Sequence, residues 1–160
     1  MRYKIITLAA AMTVLAACAD KPAATADNSG ATGAGGVGTS TAAGGLQAQL
    51  QQIGDRIFFD FDKSSISPEA KTILQRQAAL FQANPQVTFT VEGHCDDRGT
   101  REYNLALGER RATADKNGMV ALGIQGSRVQ TISYGKERPA VVGENEAAWA
   151  QNRRAVTVIN

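Results

Sequence analysis

Apolar and polar positions change their period along the chain, and each period predicts an element. In Arg56-Ile57-Phe58-Phe59-Asp60-Phe61-Asp62 the residues Ile57, Phe59 and Phe61 recur at every second position. That is the period of a strand with one buried face. Lys63-Ser64-Ser65 reads as a loop, and Ser67-Pro68-Glu69 as a helix start. Serine serves as N-cap, proline suits the first helical position, and the glutamate sits at the positive end of the dipole. Ala70, Ile73, Leu74, Leu80 and Phe81 then recur at helical spacing up to a stop at Asn84-Pro85. Val87, Phe89 and Val91 alternate with Thr88, Thr90 and Glu92 in a second strand ended by Gly93. A second helix is predicted from about Arg101 to Leu122, stopped by Gly123. Val129 to Tyr134 reads as a third strand, Gly135 to Asn145 as loop, Glu146–Asn152 as a short helix, and Ala155 to Ile159 as a fourth strand. The order β-α-β-α-β-(α)-β is that of an α+β (or α/β-like) domain, one sheet with helices packed on it.

The N-terminal third follows neither period. Arg2 and Lys4 precede an uncharged run from Ile5 to Ala17. As a helix this run would rise roughly 20 Å at about 1.5 Å per residue, short of the ~30 Å hydrocarbon core. Residues 1–17 therefore read as a secretory signal peptide and not as a membrane span. Leu15-Ala16-Ala17-Cys18 matches the lipobox of bacterial lipoprotein precursors. This pattern implies diacylglyceryl on the Cys18 thiol and N-acylation of the amine freed by cleavage. Several acyl chains give stable anchoring where one is marginal. Ala19, where an aspartate would favour inner-membrane retention, points to the outer membrane.

Composition sharpens the next boundary. Ala19–Gly45 holds 7 of the 16 glycines, 8 alanines and no aromatic residue. Such a segment buries too little apolar surface to offset its chain entropy. Residues 18–45 are therefore expected to be the lipidated N-terminus and a flexible tether, with an r.m.s. reach of roughly 30 Å. Residues 46–160 are expected to be the single folded domain. The charge, 17 basic against 15 acidic residues, lacks the basic excess of a nucleic-acid binder. With Cys18 lipidated, Cys95 is the remaining thiol, so no intrachain disulfide forms in the mature chain.

Three stretches are too polar for packing to explain: Phe61-Asp62-Lys63, Glu92 through Thr100, and Glu109-Arg110-Arg111. The first two place carboxylates just after strands, where loops on a rigid sheet often carry function. If the first two strands are parallel neighbours, Asp62 and Asp96 come together. Arg111 shares a helix face with Tyr103 and Leu107. Paired carboxylates opposed by an arginine suit a zwitterion: Asp takes an ammonium, and Arg takes a carboxylate through two parallel hydrogen bonds. Taken alone, each charge is equally well a solvated face or a weak surface ion pair. His94 and Cys95 are adjacent to Asp96, but one histidine on the opposite side of an extended segment makes a poor base for a thiol. A zinc site would need further ligands. Cys95 reads as a small buried filler and His94 as a hydrogen-bond partner that supports the loop, so no catalytic or metal-ligating residue is assigned.

Val91-Glu92-Gly93-His94-Cys95-Asp96-Asp97-Arg98-Gly99-Thr100 followed by Glu102 to Ala112 resembles the signature of OmpA-like peptidoglycan-binding domains. Phe59 to Lys63, Ser133 to Val141 and Asn152 to Val156 match the same family in order and spacing. The lipobox and tether resemble its lipid-anchored branch, that of the Tol-Pal system. The resemblance implies a mixed four-stranded sheet. It implies non-covalent binding of the peptidoglycan stem peptide at diaminopimelate, with Asp96 on the ammonium and Arg111 on the carboxylate. Phe61 and Asp62 would line the groove, Leu107 would pack on the stem, and amides around Asp97, Arg98 and Gly99 would complete the hydrogen bonding. Asn104 would hold the loop on the helix. The resemblance further implies TolB as a partner, with Glu102, Tyr103, Arg110 and the Lys136–Pro139 loop as contacts. It implies no dissociable cofactor and no enzymatic activity. A wall-binding lipoprotein without Tol partners and, more remotely, a peptidoglycan-active enzyme are the alternatives.

One departure stands out. Asp115 and Gly118 fall where the family pattern calls for aliphatic and aromatic core residues. A helix-interior glycine costs about 1 kcal/mol against alanine, and an unpaired core aspartate costs more. Either the second helix is locally shifted or the domain is less stable than its relatives.

Overall fold

The structure, a computed structural model, describes residues 38–160. The leader, Cys18 and the first part of the tether lie outside the described residues. Among the described residues no helix is long and apolar enough to cross a membrane.

Four helices and four strands follow in order: α1 (Gly38–Ile53), β1 (Arg56–Phe58), α2 (Pro68–Ala83), β2 (Phe89–His94), α3 (Arg101–Ala121), β3 (Val129–Gly135), α4 (Glu146–Asn152) and β4 (Arg154–Ile159). The sheet is mixed, with strand order β1-β4-β2-β3. β4 is antiparallel to both β1 and β2, and β2 is parallel to β3. The α+β architecture with one mixed four-stranded sheet is thus the observed one.

Caps decide the helix boundaries. Ser67 Oγ accepts from the Ala70 amide and Pro68 opens α2; Thr100 and Asn145 cap α3 and α4 in the same way. The pattern above predicts no element before Arg56, yet α1 begins at Gly38, inside the stretch assigned to the tether. Its apolar stripe is short: Leu46 and Leu50 are buried and Ile53 partly so. α1 packs on α2 and β4. So short a stripe in a Gly/Ala/Thr-rich context is helical because of that packing, not because of local propensity.

β1 is shorter than predicted. Lys63 N–H donates to Asp60 O at 3.2 Å, closing a turn in which Asp62 holds φ 57°. The turn breaks the alternation, so Ile57 and Phe59 are buried while Phe61 is 57% exposed. β2, in contrast, runs through Gly93 to His94, where its register with β3 shifts.

β1 and β2 are not neighbours, because β4 lies between them. Both are antiparallel to β4, so they still run in one direction and end at one edge. The loops after them, which carry Asp62 and Asp96, therefore meet there.

The core joins Leu50, Ile57, Leu74, Phe81, Phe89, Val91 and Met119. The Phe81 and Phe89 rings stack with centroids 4.0 Å apart. Gln77 and Thr157 are buried but paired: Thr157 Oγ1 donates to Gln77 Oε1 at 3.0 Å, and Gln77 Nε2 donates to Gly54 O. α3 lies directly on the strand ends. A Cβ on Gly93 would collide with the Gly108 backbone, and one on Gly108 with Ser133 Oγ. This contact holds α3, and Arg111 one turn beyond Gly108, over the edge of the sheet.

α3 continues unbroken through Asp115 and Gly118. It is not shifted there. The missing side chain of Gly118 is partly replaced by Leu74 and Ile66, whose Cδ1 atoms would crowd a Cβ at that position. Asp115 is buried, with Oδ1 lacking any hydrogen-bond partner. Burial pushes its carboxyl up to about 7.

Candidate binding site

The loops after β1 and β2 and the first turns of α3 enclose a cleft of about 160 Å³. Phe61, Asp62, Asp96, Arg98, Leu107 and Arg111 all line it. Gly99, Tyr103 and Asn104 complete the wall. Asp97 does not: it is exposed, and its carbonyl accepts from Lys136 Nζ at 3.1 Å.

Asp96 is buried at the centre. Its Oδ2 accepts from Arg98 Nη2 at 2.5 Å and Nε at 3.2 Å, and from Arg153 Nη1 at 3.4 Å. All three bonds fall on Oδ2, which leaves Oδ1 for another donor. The pairing raises the Arg98 pKa, chiefly through its hydrogen bonds to Asp96. The Arg98 guanidinium lies 4.0 Å from the centroid of Phe61 and 4.1 Å from that of Trp149. It is thus held between two rings.

Arg111 is fully buried. Nε donates to Lys63 O at 2.9 Å, Nη1 to His94 O at 2.8 Å and Nη2 to Asp60 O at 3.1 Å. The residue therefore ties α3 to both loops. A guanidinium has five N–H donors, so two remain beyond these three bonds. Burial holds its pKa below the ordinary arginine value.

Asp62 accepts from the Tyr103 hydroxyl, and this bond raises the tyrosine pKa. Asn104 Nδ2 donates to Arg98 O at 2.7 Å and Thr100 O at 3.0 Å, fastening the second loop to α3. Lys136 Nζ, on the loop after β3, braces the same loop through Asp97 O and Gly99 O. Cys95 Sγ lies 3.3 Å from Asn104 O, and burial pushes the thiol up to about 11.

His94 corrects the sequence reading. Neither ring nitrogen has a hydrogen-bond partner, and Nε2 is 3.6 Å from Glu92 Oε2. The support it lends the loop comes from its main-chain carbonyl, which accepts from Arg111. Burial, followed by the nearby Arg154 guanidinium, lowers the imidazole to about 4, so it is neutral at pH 7.

Sequence reasoning assigned no role to Arg153, Glu146 or Trp149. Arg153 joins Asp96 to Phe59 O at 3.0 Å and to Glu146 at 2.6 Å. The signal present was the arginine pair after a short helix bearing the single tryptophan of the chain. Among the described residues no group of histidine, cysteine and acidic side chains is placed to hold a metal.

Two acids, Asp62 and Asp96, face two arginines, Arg98 and Arg111, in one small cleft. Such a site is complementary to a ligand that carries both an ammonium and a carboxylate.

The model of the OmpA family matches residues 58–153. The chain is 48% identical over 159 residues to a peptidoglycan-associated lipoprotein of Mesorhizobium japonicum, covering 99% of this chain and 93% of that protein. It is 50% identical over 145 residues to one of Agrobacterium fabrum, covering 91% and 81%. The crystal structure of the peptidoglycan-associated lipoprotein from Burkholderia pseudomallei superposes with a TM-score of 0.65 at 40% identity, over 67% of this chain and 91% of that one.

Proposed function

The chain belongs to the OmpA family, and from that premise we propose that it is an outer-membrane lipoprotein that binds peptidoglycan non-covalently. It grips the diaminopimelate of the stem peptide. The observation that carries this reading is the cleft lined by both Asp96, whose bonds from Arg98 and Arg153 all fall on Oδ2, and Arg111, which spends three of its five donors on carbonyls. The free end of diaminopimelate carries an ammonium and a carboxylate on one carbon. Asp96 receives the first and Arg111 the second, while Leu107 and Phe61 cover the methylene chain between that end and the stem. Asp62 and Arg98 flank the same ligand. Full-length similarity to proteins named peptidoglycan-associated lipoprotein supports the reading.

Cys18 carries the diacylglyceryl and N-acyl chains, and no dissociable cofactor takes part. The domain lies in the periplasm and tethers the outer membrane to the wall within the Tol-Pal system, with TolB as partner. The role is binding, not catalysis. A buried thiol pushed up to about 11 and a histidine without a partner argue against a Cys95–His94 nucleophile.

Co-sedimentation of the full chain with purified sacculi tests this reading. Wild type pellets with the wall, free diaminopimelate competes, and Asp96→Asn abolishes pelleting while thermal unfolding stays cooperative. Wild-type pelleting by Asp96→Asn would refute the site. Release of muropeptides during incubation would favour an enzyme. Capture of TolB from solubilised envelope tests the partner; no enrichment would leave a wall-binding lipoprotein without Tol partners.

A further inference from the structure

A second cavity, of about 530 Å³, is lined by Asp60, the first residue of the Asp60–Lys63 turn. Its walls come from the end of β1, the start of α2 and the end of α4: Phe58, Asp60, Ser65, Glu69, Gln151 and Arg153. We propose that this cavity is a saccharide subsite, which seats a neutral N-acetylated sugar of the glycan strand while the stem peptide occupies the cleft beside it. The inference rests on the peptidoglycan reading above and extends it to a part of the polymer that the cleft does not reach.

Three features select a sugar. The first is the chemistry of the wall. Phe58 is 40% exposed, so its ring offers an apolar face to the C–H side of a pyranose. Ser65 and Gln151 are exposed hydroxyl and amide groups that both donate and accept, as sugar hydroxyls and an acetamido group require. The second is charge. Asp60 and Glu69 place two carboxylates on the rim. The one cation, Arg153, is spent on Phe59 O, Asp96 and Glu146. The Asp60 carboxylate is itself paired with Lys63 Nζ at 3.4 Å, so no lining cation is left for a phosphate or carboxylate, whereas a polyol hydrogen-bonds to such carboxylates. The third is continuity. Arg153 lines this cavity and donates to Asp96 in the cleft. Asp60 lines it one residue before Phe61 of the cleft. The two cavities thus share a wall at the Asp60–Phe61 backbone and the Arg153–Asp96 contact, which places them beside one another.

The test is calorimetric titration of the full chain, solubilised in detergent micelles, with three probes. These are the disaccharide of N-acetylglucosamine and N-acetylmuramic acid with its lactyl carboxyl capped as the methylamide, the stem tripeptide ending in diaminopimelate, and the disaccharide joined to the tripeptide through that carboxyl. The joined ligand is expected to bind about tenfold more tightly than the tripeptide, because linked contacts reinforce one another. The double variant Ser65→Ala, Gln151→Ala removes that gain and leaves tripeptide affinity at the wild-type value. Both positions are exposed, so folding is preserved. Equal affinity of tripeptide and joined ligand, or a gain that survives the double variant, overturns the proposal. A disaccharide that binds and loses affinity in the double variant, beside a tripeptide that does not bind, upholds the subsite and defeats the peptide reading. Absence of binding by all three probes defeats both.

Discussion

Asp115 and His94 are both buried, and they bend the stability curve in opposite directions. The folded-state pKa of Asp115, about 7, lies above its unfolded value of 3.8. Its contribution is full below pH 3.8 and is lost as pH rises through 7, by at most about 4 kcal/mol at ~1.36 kcal/mol per unit. His94 is lowered from 6.5 to about 4. The unfolded chain takes up that proton first, so stability present above pH 6.5 is lost as pH falls towards 4, by at most about 3 kcal/mol. Between pH 4 and 6.5 the two slopes largely cancel in the wild type. Asp115→Asn mimics the protonated acid and removes one of them. Urea denaturation of this variant is expected to show a gain of about 2–4 kcal/mol at pH 8, no gain near pH 4, and a new decline on acidification below 6.5. An unchanged pH profile would mean that Asp115 does not ionise inside the fold. Arg111 makes the opposite case, a buried charge that the protein holds through three hydrogen bonds. Its three bonds to Lys63, His94 and Asp60 carbonyls join both loops to α3. Arg111→Ala leaves those acceptors unpaired and should lower stability by about 3–5 kcal/mol in thermal or urea unfolding. Loss of wall binding in that variant would mix structural with chemical effects, which is why Asp96→Asn is the sharper probe.

At the scale of elements, α3 stands where it does because two glycines let backbone meet backbone. Gly93→Ala drives a methyl into the Gly108 peptide, pushes the helix off the strand ends and carries Arg111 away from both loops. The expected outcome is a loss of about 1–3 kcal/mol in stability, together with weaker sacculus pelleting at temperatures where the variant remains folded. Pelleting at the wild-type level would show that the cleft tolerates a displaced α3. Which elements were legible follows from the same physics. α2 announces itself through Ser67-Pro68, because capping is a local interaction. The end of β1 was not legible: the alternation runs on to Phe61, and only the turn at Asp60–Lys63 with its left-handed Asp62 stops it. α1 was hidden because its stripe of Leu46, Leu50 and Ile53 has value only against α2 and β4, neither of which a local pattern reveals. In the site, Asp62, Asp96 and Arg111 could be read from their places after strands and on one helix face. The brace of Arg153, Glu146 and Trp149 could not, since it depends on β4 inserting between β1 and β2.

Over the whole molecule, 17 basic residues stand against 15 acidic ones, and the cleft repeats that balance with Asp62 and Asp96 opposite Arg98 and Arg111. This sets how binding should respond to salt. A protein drawn to a polyelectrolyte by a basic face releases counterions and weakens steeply as salt rises. Here the long-range field is small, and the charges that would grip the ligand are buried: Asp96 is 4% exposed and Arg111 not at all. Screening, with a Debye length of about 10 Å at 0.1 M, acts on exposed charges and reaches such groups weakly. Sacculus affinity is therefore expected to fall by no more than about threefold between 0.05 and 0.5 M salt. The same measurement separates two forms of attachment. If the surface pairs such as Arg101–Glu137, at 3.3 Å and largely exposed, belonged to a wall-facing charged patch, affinity would drop by orders of magnitude over that range and Asp96→Asn would matter little. A shallow salt dependence combined with complete loss in Asp96→Asn is the pattern that only a buried, charge-balanced grip produces.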